Sequence, residues 1–413
     1  MGSFCYRFFY RSIFVLSTVS TCLLCSPTAD AVLLNRIGSS SASSLGMAGA
    51  GQASAFHPGP QNLGLNPAGL STVEDFELFA GGMVVLPEFS YTRHQNYGGG
   101  TFDAYDDIFP FPELAVGYRI DEHWIVGAEC WVPYGLAADL RPVPSQNFLH
   151  HQSEIFLMQG AFGVAYQLND ELSLGASLDV DFVKIKFHLP IIQNNIFLGT
   201  GRNMGDGLDV GGTFGILWTP DRWRLGLRYS MPVDIHLDGY TQFPAATGLG
   251  RHDYDSEVTA PQRVMAGVAY EINDMWSVAF DAQYTDYGAN NTLVLDYNMS
   301  PIPDGELPLD WENVWGLHAG NSLQMTDQLT WEQGVGYLTY GAPDETMLPS
   351  IPDASGFVVD SGVIYDWNPH ISTYLSVAYA WGDRDIGFTP TRKAPGEMEA
   401  SIWLVGAGLH YTF

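Results

Sequence analysis

The sequence predicts an all-β protein, a 14-stranded antiparallel transmembrane β-barrel with an N-terminal hatch plugging the lumen. Three observations predict it. Alternating, aromatic-rich segments continue to Phe413. Short polar turns alternate strictly with long connections between those segments. A small-residue tract from Ser39 to Ala55, followed by Asn66-Pro67-Ala68-Gly69-Leu70, precedes the first of them. The expected division is a signal peptide over 1–31, a hatch over 32–72 and a barrel over 73–413.

Composition supports a membrane barrel over several soluble domains. Charged residues make up 15% of the chain, against about 25% in ordinary globular proteins. Glycine supplies 45 of 413 residues, and aromatics supply 13%. Past residue 31 there is no apolar run long enough for a spanning helix. The formal net charge of −29 excludes a nucleic-acid partner, because phosphate binding needs clustered Lys and Arg. Acidity of this kind reads first as a solvated surface, and second as loops that bridge to outer-membrane lipid head groups through cations.

At the N-terminus, Arg7 and Arg11 precede an apolar stretch from Ile13 to Leu24, and Ala29-Asp30-Ala31 follows. That is the pattern of a cleaved secretory leader, and it places the protein in a Gram-negative type outer membrane. Cleavage after Ala31 leaves Cys130 as the last cysteine, so no intramolecular disulfide is expected.

Six tight turns are legible: Asp121-Glu122, Asn169-Asp170, Pro220-Asp221, Asn273-Asp274, Thr326-Asp327 and Asn368-Pro369. Asn, Asp and Pro suit reversals through their side-chain hydrogen bonds or fixed φ. Seven longer connections lie between them, at 94–111, 134–152, 189–205, 239–255, 298–309, 342–354 and 383–397. Thirteen connections join fourteen strands, and an even count with short turns on one side is the outer-membrane pattern.

Parity assigns the faces. Trp403, Val405, Ala407, Leu409, Tyr411 and Phe413 share one face of the last strand. Trp276, Val278, Phe280, Ala282 and Tyr284 face lipid, whereas Ser277, Asp281, Gln283 and Thr285 face the lumen. Asp179 and Asp181 also point inward, as charges must where lipid offers no partner. Trp124, Trp223, Trp276 and Trp331 follow short turns, where an interfacial girdle belongs. The inward face is also greasy at Phe79, Met83, Leu157, Leu217, Met265, Leu338, Val358 and Ile364. These side chains pack against a plug, line a pocket for an apolar ligand, or both. Arg224, Arg228 and Arg263 point inward too, toward ion pairs with Asp179, Asp181 or Asp281, or toward a ligand carboxylate.

The tract Leu45-Gly46-Met47-Ala48-Gly49-Ala50 with Asn66-Pro67-Ala68-Gly69-Leu70 resembles the hatch of the FadL/TodX family of outer-membrane transport channels. Ala260-Pro261-Gln262-Arg263-Val264, Asp310-Trp311 and the run Pro343-Asp344, Leu348-Pro349, Pro352-Asp353 look like its later segments. The resemblance implies passive uptake of hydrophobic compounds, fatty acids or aromatic hydrocarbons, with long-chain fatty acids as the first expectation. It implies an extracellular groove, an internal pocket gated by the hatch, and a lateral opening at a kink in the third strand. The groove is expected at Ile191, Ile192, Ile196, Phe197, Leu198 and Phe243, and the pocket at Phe79, Met83, Leu157, Met265 and Arg263. Asn66, Pro67 and Ala68 would form the hatch motif. The third strand, 124–133, would end at a lateral gate built on Pro133 and Gly135.

No catalytic residues, metal or cofactor are expected, and the protein is expected to be a monomer and not an enzyme. His150-His151 is a vicinal pair whose side chains diverge, with no third ligand nearby. Gly98-Gly99-Gly100 does not lie between a strand and a helix and is read as loop. A structural or adhesive surface barrel is the alternative reading. It would not need the hatch motif or the inward apolar residues.

Overall fold

The structure is a computed structural model that describes residues 41–104, 108–140, 152–193, 196–298, 303–388 and 395–413. The expected leader, the first hatch residues and His150-His151 lie outside these, as does the side chain of Ile192.

The chain enters through short turns and helices over residues 41–73 and then forms strands to its end. They are β1 (Phe76–Arg93), a short β2 (Thr101–Asp103), β3 (Phe109–Arg119), β4 (Trp124–Asp139), β5 (Gln152–Gln167), β6 (Leu172–Gln193) and β7 (Ile196–Trp218). Next come β8 (Trp223–Ser230), β9 (Val233–Gln242), β10 (Arg251–Ala260), β11 (Arg263–Asn273) and β12 (Trp276–Thr285). A small hairpin, β13 (Thr292–Leu295) and β14 (Gly305–Pro308), leads to β15 (Val314–Gln324), β16 (Leu329–Leu338), β17 (Gly356–Asn368), β18 (Ile371–Ile386) and β19 (Gly396–Thr412). β8 and β9 form one wall strand broken at Met231-Pro232, and β10 and β11 another broken at Pro261-Gln262. Proline has no amide to give a ladder, which explains both breaks. β1 pairs with β19 from Glu77↔Thr412 to Arg93↔Gly396, so the sheet closes as a 14-stranded barrel.

The six short turns fold where the sequence places them, and their first side chains explain why. Asp121 Oδ1 accepts from the amides of His123 and Trp124 at 2.8 Å each, and these bonds hold its carboxyl below the usual range. Asn169 Oδ1 accepts from Glu171 and Leu172, Asn273 Oδ1 from Met275 and Asn368 Oδ1 from His370. Each replaces a bond the reversed backbone cannot make.

Outward faces are apolar: Leu178, Phe214, Phe280, Leu375, Val377, Val405 and Leu409 are exposed. Aromatic pairs mark both rims. Trp124–Tyr166 and Trp223–Tyr270 lie at the short-turn side (centroids 4.7 and 4.4 Å), and Tyr284–Trp315 and Tyr379–Trp403 at the other (5.0 and 4.7 Å). Such side chains suit the lipid head-group level.

The longer connections differ from expectation in extent. Residues 189–205 are not a loop, because β6 and β7 stay paired to Gln193↔Ile196. The greasy β-branched content at Ile191 and Ile196 is strand content on a hairpin that outruns the membrane. Residues 239–255 hold the ends of β9 and β10, and 298–309 hold part of the β13–β14 hairpin. The third wall strand does not end at Pro133; β4 continues through Gly135 to Asp139.

The hatch fills the lower lumen and bonds to the wall. Asn66 Oδ1 caps the amide of Ala68 at 3.1 Å, and its Nδ2 donates to Ala53 O at 2.6 Å and to Ile216 O at 3.1 Å. One side chain therefore caps a turn, joins two parts of the hatch and reaches the barrel. Pro67 opens the following 3-10 turn, where a missing amide costs nothing. The neighbouring residues must be small. A Cβ on Gly175 would lie 2.2 Å from Ala68 N, and one on Gly226 would lie 1.7 Å from Ala53 O. Wall carboxylates hold hatch amides. Glu113 takes Ala42 N at 3.0 Å, Glu129 takes Gly64 N at 2.6 Å, and Asp281 takes Gly51 N and Ala53 N at 2.8 and 2.7 Å. Gly51 has φ +84, a conformation that favours glycine and aims its N–H at Asp281.

His57 is the one buried titratable group of the described hatch. Its Nε2 lies 3.4 Å from Glu332 Oε1, and its ring meets Tyr374 edge-on at 6.0 Å. Burial, aided by the charge of Arg224, lowers its pKa from 6.5 to about 4. A depressed pKa means that seating of this ring is fully favourable above about pH 6.5 and is lost as pH falls toward 4, at about 1.4 kcal/mol per pH unit. Protection factors of hatch amides, taken relative to the intrinsic exchange rate at each pH, should therefore fall between pH 6.5 and 4, and His57→Gln should remove that part of the slope. An identical slope in the variant would dismiss His57 as its source.

Candidate functional site: an apolar cavity above the hatch

Above the hatch the lumen holds an apolar cavity. Its wall is almost wholly apolar: Ile155 and Leu157 of β5, Val183 of β6, Ile235 of β9, Val258 of β10, and Trp311. Tyr134 of β4, Tyr287 and Trp311 stand edge-to-face across it, at 6.5 and 5.9 Å between centroids. Strand alternation puts these residues inward. The loop between β16 and β17 folds over the top and buries Met347, Leu348 and Ile351, with Ser350 Oγ 2.9 Å from Ser153 Oγ. Asp353 fixes that loop by accepting from Gly341 and Ala342 at 2.7 Å each, and burial pushes its carboxyl pKa up.

The lower end of the cavity turns polar. A second space of about 300 Å³ shares Tyr134, Leu157, Ala260 and Pro261 with the first, and adds Gln159, Asp179, Asp181 and Arg263. The expected ion pairs do not form. Asp179 is held by Thr213 Oγ1 at 2.6 Å and Ser177 Oγ at 2.7 Å, and Asp181 by Gln159 Nε2 at 2.7 Å. Asp281 is occupied by hatch amides. Arg224 goes to the hatch, donating to Ala55 O at 2.7 Å and Ser54 O at 3.2 Å. Short neutral donors on the same strands reach the carboxylates first, so the long arginines are left over.

Arg228 and Arg263 are both buried, 2% and 4% exposed. Arg263 Cζ lies 4.8 Å from the ring centre of Tyr134, and Arg228 Cζ lies 5.9 Å from that of Trp131. Nε and Nη1 of Arg263 and Nε of Arg228 have no hydrogen-bond partner among the described residues. Arg263, a cation with unspent donors at the foot of an apolar cavity, can hold an anion.

Of the residues proposed from sequence, Leu157 and Arg263 line this space. Met265 is buried and faces Arg228 across the β8–β11 ladder. Phe79 and Met83 pack elsewhere. Phe79 lies with Ala42, Ala115 and Tyr374 near the hatch start, and Met83 lies in a cluster with Leu45. Ile191, Ile196, Phe197 and Leu198 sit near the tip of the β6–β7 hairpin, where Ile196 is 62% exposed. Phe243 packs against Tyr297 at 6.0 Å. Sequence reasoning missed Tyr134, Ile155, Val183, Ile235 and Val258 as lining. Parity marks them inward, but depth along a strand decides whether an inward residue meets hatch or cavity.

At Pro133 and Gly135 the wall is irregular. The β3–β4 ladder stops at Leu114↔Cys130, and the β4–β5 register shifts between Trp131 and Tyr134. Above that point Phe109 to Pro112 of β3 pair with β1 and not with β4. The edge of the cavity at Tyr134 and Gly135 coincides with this irregularity.

The sequence over residues 21–413 matches the profile of the outer membrane protein transport protein family, OMPP1/FadL/TodX. The chain belongs to that family. No curated protein sequence matches it. Among solved structures, a Pseudomonas aeruginosa FadL homologue superposes with a TM-score of 0.78 at 16% identity, over 93% of this chain and 99% of that one. The P. putida toluene transporter TodX gives 0.69 at 18% identity, over 92% and 99%. The monoaromatic hydrocarbon channel CymD gives 0.68 at 18%, over 92% and 98%. These likenesses show a shared FadL/TodX fold. With the family they make the protein an outer-membrane channel for hydrophobic compounds.

Proposed function

We propose that the channel takes up long-chain fatty acids passively. One observation carries this reading: buried Arg263 presents unpartnered guanidinium nitrogens at the foot of an apolar cavity. A neutral hydrocarbon would leave those donors unspent, whereas a carboxylate with an apolar tail would use both ends of the space. Ile191, Ile196, Phe197 and Leu198 on the β6–β7 hairpin offer a first apolar contact outside. The hatch below the cavity acts as the gate, and the irregularity at Pro133 and Gly135 is a route sideways into the membrane.

A second reading, uptake of aromatic hydrocarbons, is favoured by Tyr134, Tyr287 and Trp311 around the cavity and by the fold shared with the toluene transporter TodX and the monoaromatic hydrocarbon channel CymD. Equilibrium binding of a fluorescent long-chain fatty acid to the refolded protein separates the two. Unlabelled acid should displace the probe far better than its methyl ester, toluene or a polar sugar. Equal displacement by acid and ester would remove the carboxylate reading, and stronger displacement by toluene would establish the aromatic one.

A further inference from the structure

We propose that the wall has a second lateral portal, between β7 and the β8–β9 junction, through which the same apolar ligand passes between cavity and membrane. This rests on the cavity being the ligand site.

The barrel ladder fails there. β7 pairs with β8 from Trp218↔Leu225 to Thr213↔Ser230 and with β9 from Asp206↔Asp238 to Arg202↔Gln242. Six residues of β7 thus face seven on the other strand. These, Gly207 to Gly212 and Met231 to Leu237, form no ladder pairs with each other. Pro232 sits in the break and offers no amide. A bond from Met231 N to Gly212 O at 2.9 Å marks its lower edge. The amide of Val210 is taken by Asp209 Oδ1 at 2.9 Å. In lipid an open sheet edge is costly and is tolerated where it lines a cavity.

Gly207 and Gly211 carry no side chain at this break and β9 packs into the space they leave, so van der Waals contact and not a hydrogen-bonded ladder closes the wall here. A Cβ on Gly211 would meet Val233 Cγ2 at 2.3 Å, and one on Gly207 would meet His236 O at 2.0 Å, so β9 leans inward across β7. The space containing Arg263 and Asp179 reaches the break, since Gly212, Met231 and Val233 line it as well. Outside, the break is flanked by exposed Leu178, Val210, Phe214 and Met231 on one side and by exposed Asp234 and His236 of β9 on the other. Its upper end is polar. His236 lies 3.4 Å from Asp209 and 3.3 Å from Glu257. A greasy molecule leaving here meets acyl chains at its side and a charged rim toward water. The Pro133–Gly135 irregularity lies across β5 and β6 from this break, so the cavity runs from one opening to the other.

A disulfide can close the break. A Cβ built on Gly211 lies 3.8 Å from Val233 Cβ, about the mean separation in disulfides. The pair Gly211→Cys/Val233→Cys, in a Cys130→Ala background, is refolded into lipid vesicles. Release of a preloaded fluorescent long-chain fatty acid, and of a neutral apolar dye, into the bilayer is then followed with the bridge oxidised and reduced. The expected result is release slowed severalfold in the oxidised over the reduced state of the same variant, with equal equilibrium binding in the two states. Release at the same rate in both states, with the bridge verified by mass, would overturn the portal while leaving the ligand site intact. If the acid fails to bind but dye release still obeys the bridge, the fatty-acid reading falls and the portal stands. Should the double variant not fold, Gly212→Phe fills the break from the lipid side beside Met231, and its release rates are read against the same expectations.

Discussion

Arg263→Gln is expected to weaken binding of a long-chain fatty acid roughly ten- to hundredfold. A hydrogen-bonded charge contributes about 1.5–3 kcal/mol, and each 1.4 kcal/mol is about tenfold in affinity. The substitution keeps a polar side chain of moderate length but removes the cation. The methyl ester of the same acid should bind the variant as it binds the parent, because it never used the charge. Arg263→Lys should recover part of the loss, since a point charge remains without the planar fork. Arg228→Gln should cost less than Arg263→Gln, because Arg228 lies over Trp131 and does not line the cavity. The measurement is a pair of binding isotherms, acid and ester, on folded protein. Equal losses for acid and ester would mean that Arg263 shapes the cavity and does not read the ligand. No loss for either would move the carboxylate away from this end of the cavity.

The second large effect concerns the seating of the hatch. Asp281, fully buried on β12, accepts from the amides of Gly51 and Ala53. Asp281→Ala leaves two buried donors without an acceptor, at about 1–3 kcal/mol each. That cost falls on hatch seating and not on the barrel, whose ladders do not use this side chain. Faster hydrogen exchange at Gly51 to Ala55 and a larger ion conductance in planar bilayers should result, with the barrel's heat-modifiable migration unchanged. Asp281→Asn, which keeps one acceptor, should fall between. Parental conductance and exchange in Asp281→Ala would show that the hatch is held elsewhere.

Strand number, turn positions and faces were legible because a membrane imposes a period of two, and a short reversal demands Asn, Asp or Pro. The six turns and the outward rows ending at Phe413 follow from those two constraints. The strand ends on the far side were not legible. Nothing in the composition of 189–205 separates a greasy loop from a hairpin that leaves the bilayer still paired. The site was legible only in part. Leu157 and Phe79 have the same parity and the same apolar character, yet one faces the cavity and the other the hatch, because their heights in the barrel differ. The arginines were visible as inward cations. Their lack of carboxylate partners was not, since it depends on Thr213, Ser177 and Gln159 reaching Asp179 and Asp181 first.

The pairing of β1 with β19 bears on how the molecule is made. The first wall strand finds its neighbour in the last, from Glu77↔Thr412 onward. Until the final segment arrives, β1 carries a row of unpaired amides and carbonyls that hydrocarbon cannot solvate. Contacts this distant in sequence also form slowly, because the intervening chain must be ordered first. The barrel therefore cannot be laid into a bilayer strand by strand in the order of synthesis. The nascent chain must be kept soluble as a whole, and the ring completed at one seam. A truncation that removes β19 would leave no smaller working channel, only a sheet with two open edges.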